Sequence, residues 1–165
     1  TVIFDLTVAI EVGLVIACVL FMKRVMETTE ISVITDEIDP NKESDITVHE
    51  ENLMIPKGIE VYEINGPYFF GIATKFEETM TQLGDRPKVR IIRMRKVPFI
   101  DSTGIHNLTA LCEMSQKEKT TIILSGVNKN VHNVLEKAGF YELLGKENIC
   151  PNINVALERA KSLVE

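Results

Sequence analysis

Four consecutive residues, Asp101, Ser102, Thr103 and Gly104, hold the clearest chemical potential in this sequence. They stand between an apolar run, Val89-Arg90-Ile91-Ile92-Arg93-Met94, and a helical pattern that begins at Ile105, so they read as the turn from a strand into a helix. A carboxylate and two hydroxyls at that place accept hydrogen bonds from the unpaired amides of the first helical turn. A glycine there lets another backbone or a ligand come close. The same amides, helped by the helix dipole, favour a phosphate or other anion. Asp101, Ser102, Thr103 and Gly104 are therefore a candidate turn for binding an anion, a nucleotide or a partner; as capping residues alone they would only start the helix.

Other constellations carry less. Ser102 and His106 are one helical turn apart with Asp101 beside them, but no acid is placed to orient the imidazole and no Gly-x-Ser-x-Gly elbow is present. No catalytic residue is assigned, and the chain is read as a non-enzyme. Gly139 to Lys146 resembles a phosphate loop loosely: its spacer is one residue too long, no Ser or Thr follows Lys146, and it follows a helix. Three cysteines, Cys18, Cys112 and Cys150, are far apart and outside any Cys-x-x-Cys pattern. That usage fits a reducing compartment and supplies no metal site. No cofactor is assigned.

The elements that must position the turn follow from periodicity. Ile59-Glu60-Val61-Tyr62-Glu63-Ile64-Asn65-Gly66 alternates like a half-buried strand ending in a turn. Ile72, Phe76, Met80 and Leu83 fall at helical spacing, closed by Gly84 and Pro87. After the turn come a stripe at Ile105, Leu108, Leu111 and Cys112, a strand over Thr121-Ile122-Ile123-Leu124, a stripe at Val131, Val134, Leu135 and Ala138 stopped by Gly139, and a last helix with Ile153, Leu157, Ala160 and Val164. Strands alternating with helices imply an α/β fold, a mixed, mainly parallel sheet with helices packed on it. In such sheets ligands sit at the carboxyl ends of strands, where this turn lies.

The chain has 165 residues, a formal net charge of −6 and 6% aromatic residues. An acidic, aromatic-poor chain is a poor match to a nucleic-acid binder. One basic run, Arg86, Lys88, Arg90, Arg93, Arg95 and Lys96, runs against that balance. It reads either as a solvated sheet edge that repels other strands or as a surface toward anionic headgroups or the acidic stretch.

The first residues have a different solvent. From Thr1 to Met22 the chain is almost continuously apolar, interrupted by Asp5 and Glu11 and followed by Lys23-Arg24, which is long enough to cross a bilayer. Basic residues after the apolar run, rather than before it, exclude a signal peptide and put everything after Lys23 in the cytoplasm. Glu11 in such a span needs a partner from another helix, which makes this the last helix of a bundle rather than a lone anchor. The chain starts on Thr1, which suggests a piece of something longer. Residues 1–26 are read as that membrane helix, 27–52 as an acidic linker with short strands at Ile31–Ile34 and Ile46–Val48, and 53–165 as the α/β domain.

Phe4-Asp5-Leu6-Thr7-Val8-Ala9-Ile10-Glu11-Val12-Gly13, a short linker, Arg93-Met94-Arg95 and Val97-Pro98-Phe99-Ile100-Asp101-Ser102-Thr103-Gly104 together resemble the C-terminal end of SulP anion permeases. The domain part resembles the STAS domain that these permeases share with anti-sigma factor antagonists. The resemblance implies a membrane transporter of sulfate, bicarbonate, chloride or dicarboxylate, generally dimeric, in the inner membrane, whose cytosolic domain supports assembly and regulation. Its partners would be the membrane domain of the same transporter, a second copy, and a cytosolic protein, kinase or nucleotide. In the antagonist branch the serine after the aspartate is phosphorylated, which maps onto Ser102. A free-standing antagonist-like binding module and a nucleotide-binding regulatory domain are the alternative functions.

Overall fold

The computed structural model describes residues 2–27, 30–34, 37–38, 53–69 and 87–164. The stripe Ile72–Leu83 and the short strand over Ile46–Val48 lie outside them. Helix α1 spans Val2–Glu27. Its segment Asp5–Arg24 is long and apolar enough to cross a membrane, and none of it is buried against the rest of the chain.

Among the described residues, seven strands and four further α-helices follow: β1 (Glu30–Ile34), β2 (Glu37–Ile38), β3 (Leu53–Met54), β4 (Ile59–Asn65), β5 (Val89–Lys96), α2 (Ser102–Lys117), β6 (Thr121–Ser125), α3 (Lys129–Lys137), α4 (Phe140–Leu144), β7 (Ile149–Cys150) and α5 (Ile153–Val164). Five strands form one sheet in the order β1-β4-β5-β6-β7, and β2 pairs with β3 in a small second one. Strands β4 to β7 run parallel, and β1 is antiparallel to β4. The expected mixed, mainly parallel α/β sheet is the one found. The acidic stretch is not wholly a spacer, because its segment Glu30–Ile34 is the edge of the main sheet, with Ile31 opposite Ile64 and Val33 opposite Tyr62.

Both faces of the sheet are covered, which is why its central strands read as nearly continuous apolar runs. Tyr62, Ile64, Ile92, Met94, Ile122 and Leu124 face a core completed by Leu108, Leu111, Val131, Leu135 and Phe140 from α2, α3 and α4. Val61, Val89, Ile91 and Ile123 face the other core, completed by Ile153, Ala156, Leu157 and Ala160 of α5.

The basic run is where local charge misleads. The sheet-edge reading places it at the margin, yet Arg90, Arg93, Arg95 and Lys96 lie on β5, the middle strand, between β4 and β6; Arg86 lies outside the described residues. Arg90 and Arg93 are buried, and each meets the residue directly opposite on β4: Arg90 Nε lies 3.4 Å from Glu60 Oε2, and Arg93 Nη1 lies 3.4 Å from Glu63 Oε1. Tyr62 donates to Glu60 Oε2 at 2.8 Å, and its ring lies 5.7 Å beneath the Arg90 guanidinium. Burial and the adjacent Glu60 carboxylate push the Tyr62 phenol well above its ordinary range. Lys88, Arg95 and Lys96 remain exposed.

Candidate functional site

The turn sits at the carboxyl edge of the sheet, where β4, β5 and β6 end side by side. The β4 extension runs along the β5 extension: Gly66 N donates to Lys96 O (3.2 Å), Tyr68 N to Phe99 O (3.0 Å) and Asp101 N to Tyr68 O (3.4 Å). Tyr68 and Ile100 form an isolated parallel bridge. Just upstream the β4–β5 register slips, since two steps from Glu63 to Asn65 match three from Arg93 to Lys96. Such a bulge re-aims side chains, and here Arg95 and Lys96 emerge exposed after six buried residues of the same strand.

Asp101 is the N-cap of α2: in extended conformation, it accepts from Gly104 N at 2.6 Å through Oδ1, and its carbonyl accepts from Ile105 N at 2.9 Å. Ser102 and Thr103 are exposed at the first turn, whereas Gly104 is buried. A Cβ on Gly104 would lie 2.9 Å from Ile100 Cγ1 and closer still to the Tyr68 carbonyl oxygen. The close approach that this glycine permits is therefore to the chain's own backbone. His106 is exposed on α2, and the Asp101 carboxylate is engaged by a backbone amide rather than by an imidazole.

A second helix start lies alongside. Asn128 caps α3 by accepting from Val131 N (3.0 Å), and its Nδ2 donates to Val97 O. That one side chain ties the β6–α3 turn to the β5–α2 turn. Gly126, at φ +69°, has its Cβ position 3.2 Å from Arg95 Cβ, so β6 closes tightly on the bulged end of β5. Around these caps the exposed groups include Arg95, Lys96, Pro98, Phe99, Ser102, Thr103, His106 and Lys129; Lys96 Nζ lies 3.8 Å from Glu63 Oε2. The arrangement is a rigid, hydrogen-bonded ledge presenting two hydroxyls, an aromatic ring and cationic side chains. Tyr68 and Asn128 escaped the reading of the sequence; the Asn at the head of the Val131 stripe was the available signal for the second.

A recess of about 270 Å³, lined by Cys112, Gln116, Lys119, Thr120 and Asn148 among others, opens at the opposite end of β6. Three of its polar side chains are already engaged: Gln116 donates to Leu143 O, Asn148 to Leu144 O and Thr120 to Pro87 O. Burial pushes the Cys112 thiol up to about 12, and that of Cys150 upward too, so neither is a nucleophile at neutral pH.

The chain's likeness to known proteins fits this geometry. The family model of the STAS domain matches residues 52–156. The crystal structure of a sulfate transporter family protein from Wolinella succinogenes is 44% identical, with 68% of this chain and 92% of that one covered and a TM-score of 0.64. Sulfate transporter 1.2 of Arabidopsis thaliana is 26% identical over 92% of this chain, which corresponds to 25% of its own length. Murine Slc26a9, an anion transporter solved in the inward-facing state, shares the fold at 22% identity and a TM-score of 0.65, over 94% of this chain and 25% of its own. The chain thus spans about a quarter of the length of the curated relatives it matches.

Proposed function

Since the chain belongs to the STAS domain family, and within it to the sulfate transporter (SulP) family, we propose that it is the regulatory and assembly region of a membrane anion permease. In this reading residues 1–26 end the last membrane helix, 27–52 are the acidic connection, with β1 contributed to the sheet, and 53–165 are the body of the STAS domain. The permease carries sulfate, bicarbonate or a dicarboxylate, resides in the inner membrane as a dimer, and keeps everything after Lys23 in the cytoplasm. The observation that supports it best is the continuity of a 20-residue apolar span, unburied in this chain, with a STAS sheet whose first strand begins at Glu30.

The test is uptake. Cells expressing the intact parent gene are given a panel of labelled anions and compared with cells expressing a parent truncated after Arg24. Uptake of one anion that falls on truncation is the expected result. No uptake of any anion, despite verified membrane expression, would overturn the proposal.

Regulation in this proposal runs through the ledge, with Ser102 as the phosphorylated group. Its hydroxyl is exposed beside the Asp101 cap, and a phosphate there adds nearly two negative charges at a helix N-terminus, favoured by the amides and opposed by Asp101. Full transport and unchanged partner binding in both Ser102→Ala and Ser102→Glu parents would dispose of the switch.

A further inference from the structure

Helix α1 and the main sheet join at one edge. The helix ends at Glu27 and β1 begins at Glu30. Because β1 is antiparallel to β4, Glu30 pairs with Asn65, the last residue of β4, and Ile34 with Val61. Asn65 pairs on its other side with Lys96, the last residue of β5, so Lys96 Cα lies about 10 Å from Glu30 Cα across the strands. The opposite edge of the sheet, at Ile59 and Val89, is about 20 Å further along the strands. Lys23 and Arg24, exposed at the end of the apolar span, stand about 4.5–6 Å before Glu27 on the helix axis. The chain thus passes from its span into the carboxyl edge of the sheet. The ledge is the part of the domain tethered closest to the bilayer.

What the ledge exposes suits a headgroup layer. Phe99 is 53% exposed, yet its loop is fixed: Val97 and Ile100 are buried on either side, Tyr68 N donates to Phe99 O, and Asn128 donates to Val97 O. An aromatic ring held out on rigid backbone enters the boundary between headgroups and acyl chains with little further ordering. Arg95, Lys96 and Lys129 are exposed around it. Among the described residues beside them, the acids are engaged within the domain, Asp101 by Gly104 N and Glu63 by Arg93 and Lys96. Each cation brought to an anionic leaflet strengthens binding about fivefold. The amino edge also exposes lysines, Lys57, Lys88 and Lys119. No exposed phenylalanine or tyrosine accompanies them among the described residues, and that edge is the one away from the span.

We propose that the ledge rests on the bilayer that α1 crosses, with the Phe99 ring in the headgroup layer and Arg95, Lys96 and Lys129 paired with anionic phospholipid headgroups. The proposal rests on the reading of α1 as a membrane span. It adds which edge of the STAS domain meets lipid and through which side chains.

The test uses the intact parent, otherwise free of cysteine, in nanodiscs. One nitroxide is placed at position 103, beside Phe99 on the ledge, or at position 117, the far end of α2, about 21 Å away. Collision rates with a nickel-chelating lipid and with a water-soluble nickel chelate are measured in phosphatidylcholine, and again with about a third of it replaced by phosphatidylglycerol. Nickel-lipid collisions about threefold higher at 103 than at 117, and rising further with phosphatidylglycerol, are expected. Arg95→Gln with Lys96→Gln removes the rise, Lys57→Gln with Lys119→Gln retains it, and Phe99→Ser lowers the collisions in both lipids. Equal nickel-lipid collisions at the two positions, an unaffected Phe99→Ser, or a rise that survives Arg95→Gln with Lys96→Gln would overturn the proposal. Low collisions at 103 with both nickel species would show a ledge covered by protein and refute lipid as its occupant. A parent that alkaline carbonate strips from cell membranes would overturn the span and this proposal together. Retention in the membrane with any of the other failures overturns the proposal alone.

Discussion

Replacing Glu60 by leucine tests the account of the basic run most directly. Arg90 is 6% exposed in its side chain and Glu60 17%, so the pair is shielded but not sealed. At 3.4 Å and an effective dielectric constant near 20, their attraction is on the order of 5 kcal/mol before desolvation is subtracted. Glu60→Leu leaves Arg90 with the Ser115 hydroxyl at 3.5 Å and the Tyr62 ring, and also removes the acceptor of the Tyr62 hydroxyl. Breaking a buried pair from one side costs about 3–5 kcal/mol; partial solvent access at Glu60 lowers the expectation to about 2–3 kcal/mol. With a urea slope of about 1.5 kcal/mol per molar, the midpoint falls by roughly 1.5–2 M. The assay is urea unfolding of residues 30–165, followed by circular dichroism. The double variant Glu60→Leu with Arg90→Met removes both charges, and it should return to within about 1 kcal/mol of the parent. A single variant that costs less than about 0.5 kcal/mol, or a double variant no better than the single, would refute the argument.

Three further outcomes follow from the same structure. Gly104→Ala should destabilise residues 30–165 by about 1–3 kcal/mol, despite alanine's higher helix propensity, because its methyl group meets Ile100 and the Tyr68 carbonyl; unchanged urea stability would contradict this. Asn128→Ala removes both a cap and the bond to Val97 O, and a loss of about 1–2 kcal/mol in the same titration is expected. The Cys112 thiol, raised by burial from 9.0 to about 12, stabilises the fold fully below pH 9 and loses that contribution as pH rises toward 12. Stability should therefore fall over that window, less steeply in Cys112→Ala, and native protein at pH 8 should alkylate Cys112 only after unfolding.

How far the sequence foretold this molecule varied with the range of the interaction. The turn at Asp101 was readable because its signals are local: an apolar strand, an Asx cap, a glycine, then a stripe whose Leu108, Leu111 and Cys112 are all buried. The same holds for Asn65 at the end of β4, and for Ile153, Leu157 and Ala160 on α5. The α3 stripe was half right, since Val131 and Leu135 are buried but Val134 and Ala138 are exposed. Helix α4 was not foreseen; five residues carry too little periodicity. The basic run failed for a different reason. Whether Arg90 and Arg93 lie at an edge or in the middle depends on Glu60 and Glu63, thirty positions earlier, and no local window contains both. At the ledge, the cap and Gly104 were foreseen, but Tyr68 and Asn128 close it through contacts between separate loops.

The shortness of the join between α1 and β1 sets a mechanical limit. Helix α1 ends at Glu27 and β1 begins at Glu30, so three virtual bonds of 3.8 Å, about 11 Å in all, are the longest leash between them. Beyond that distance the sheet can withdraw only by unzipping β1 from β4 or by unwinding the helix end. A tilt or axial shift of α1 is thus delivered to an edge strand as tension, and the ladder from Glu30–Asn65 to Ile34–Val61 is what bears the load.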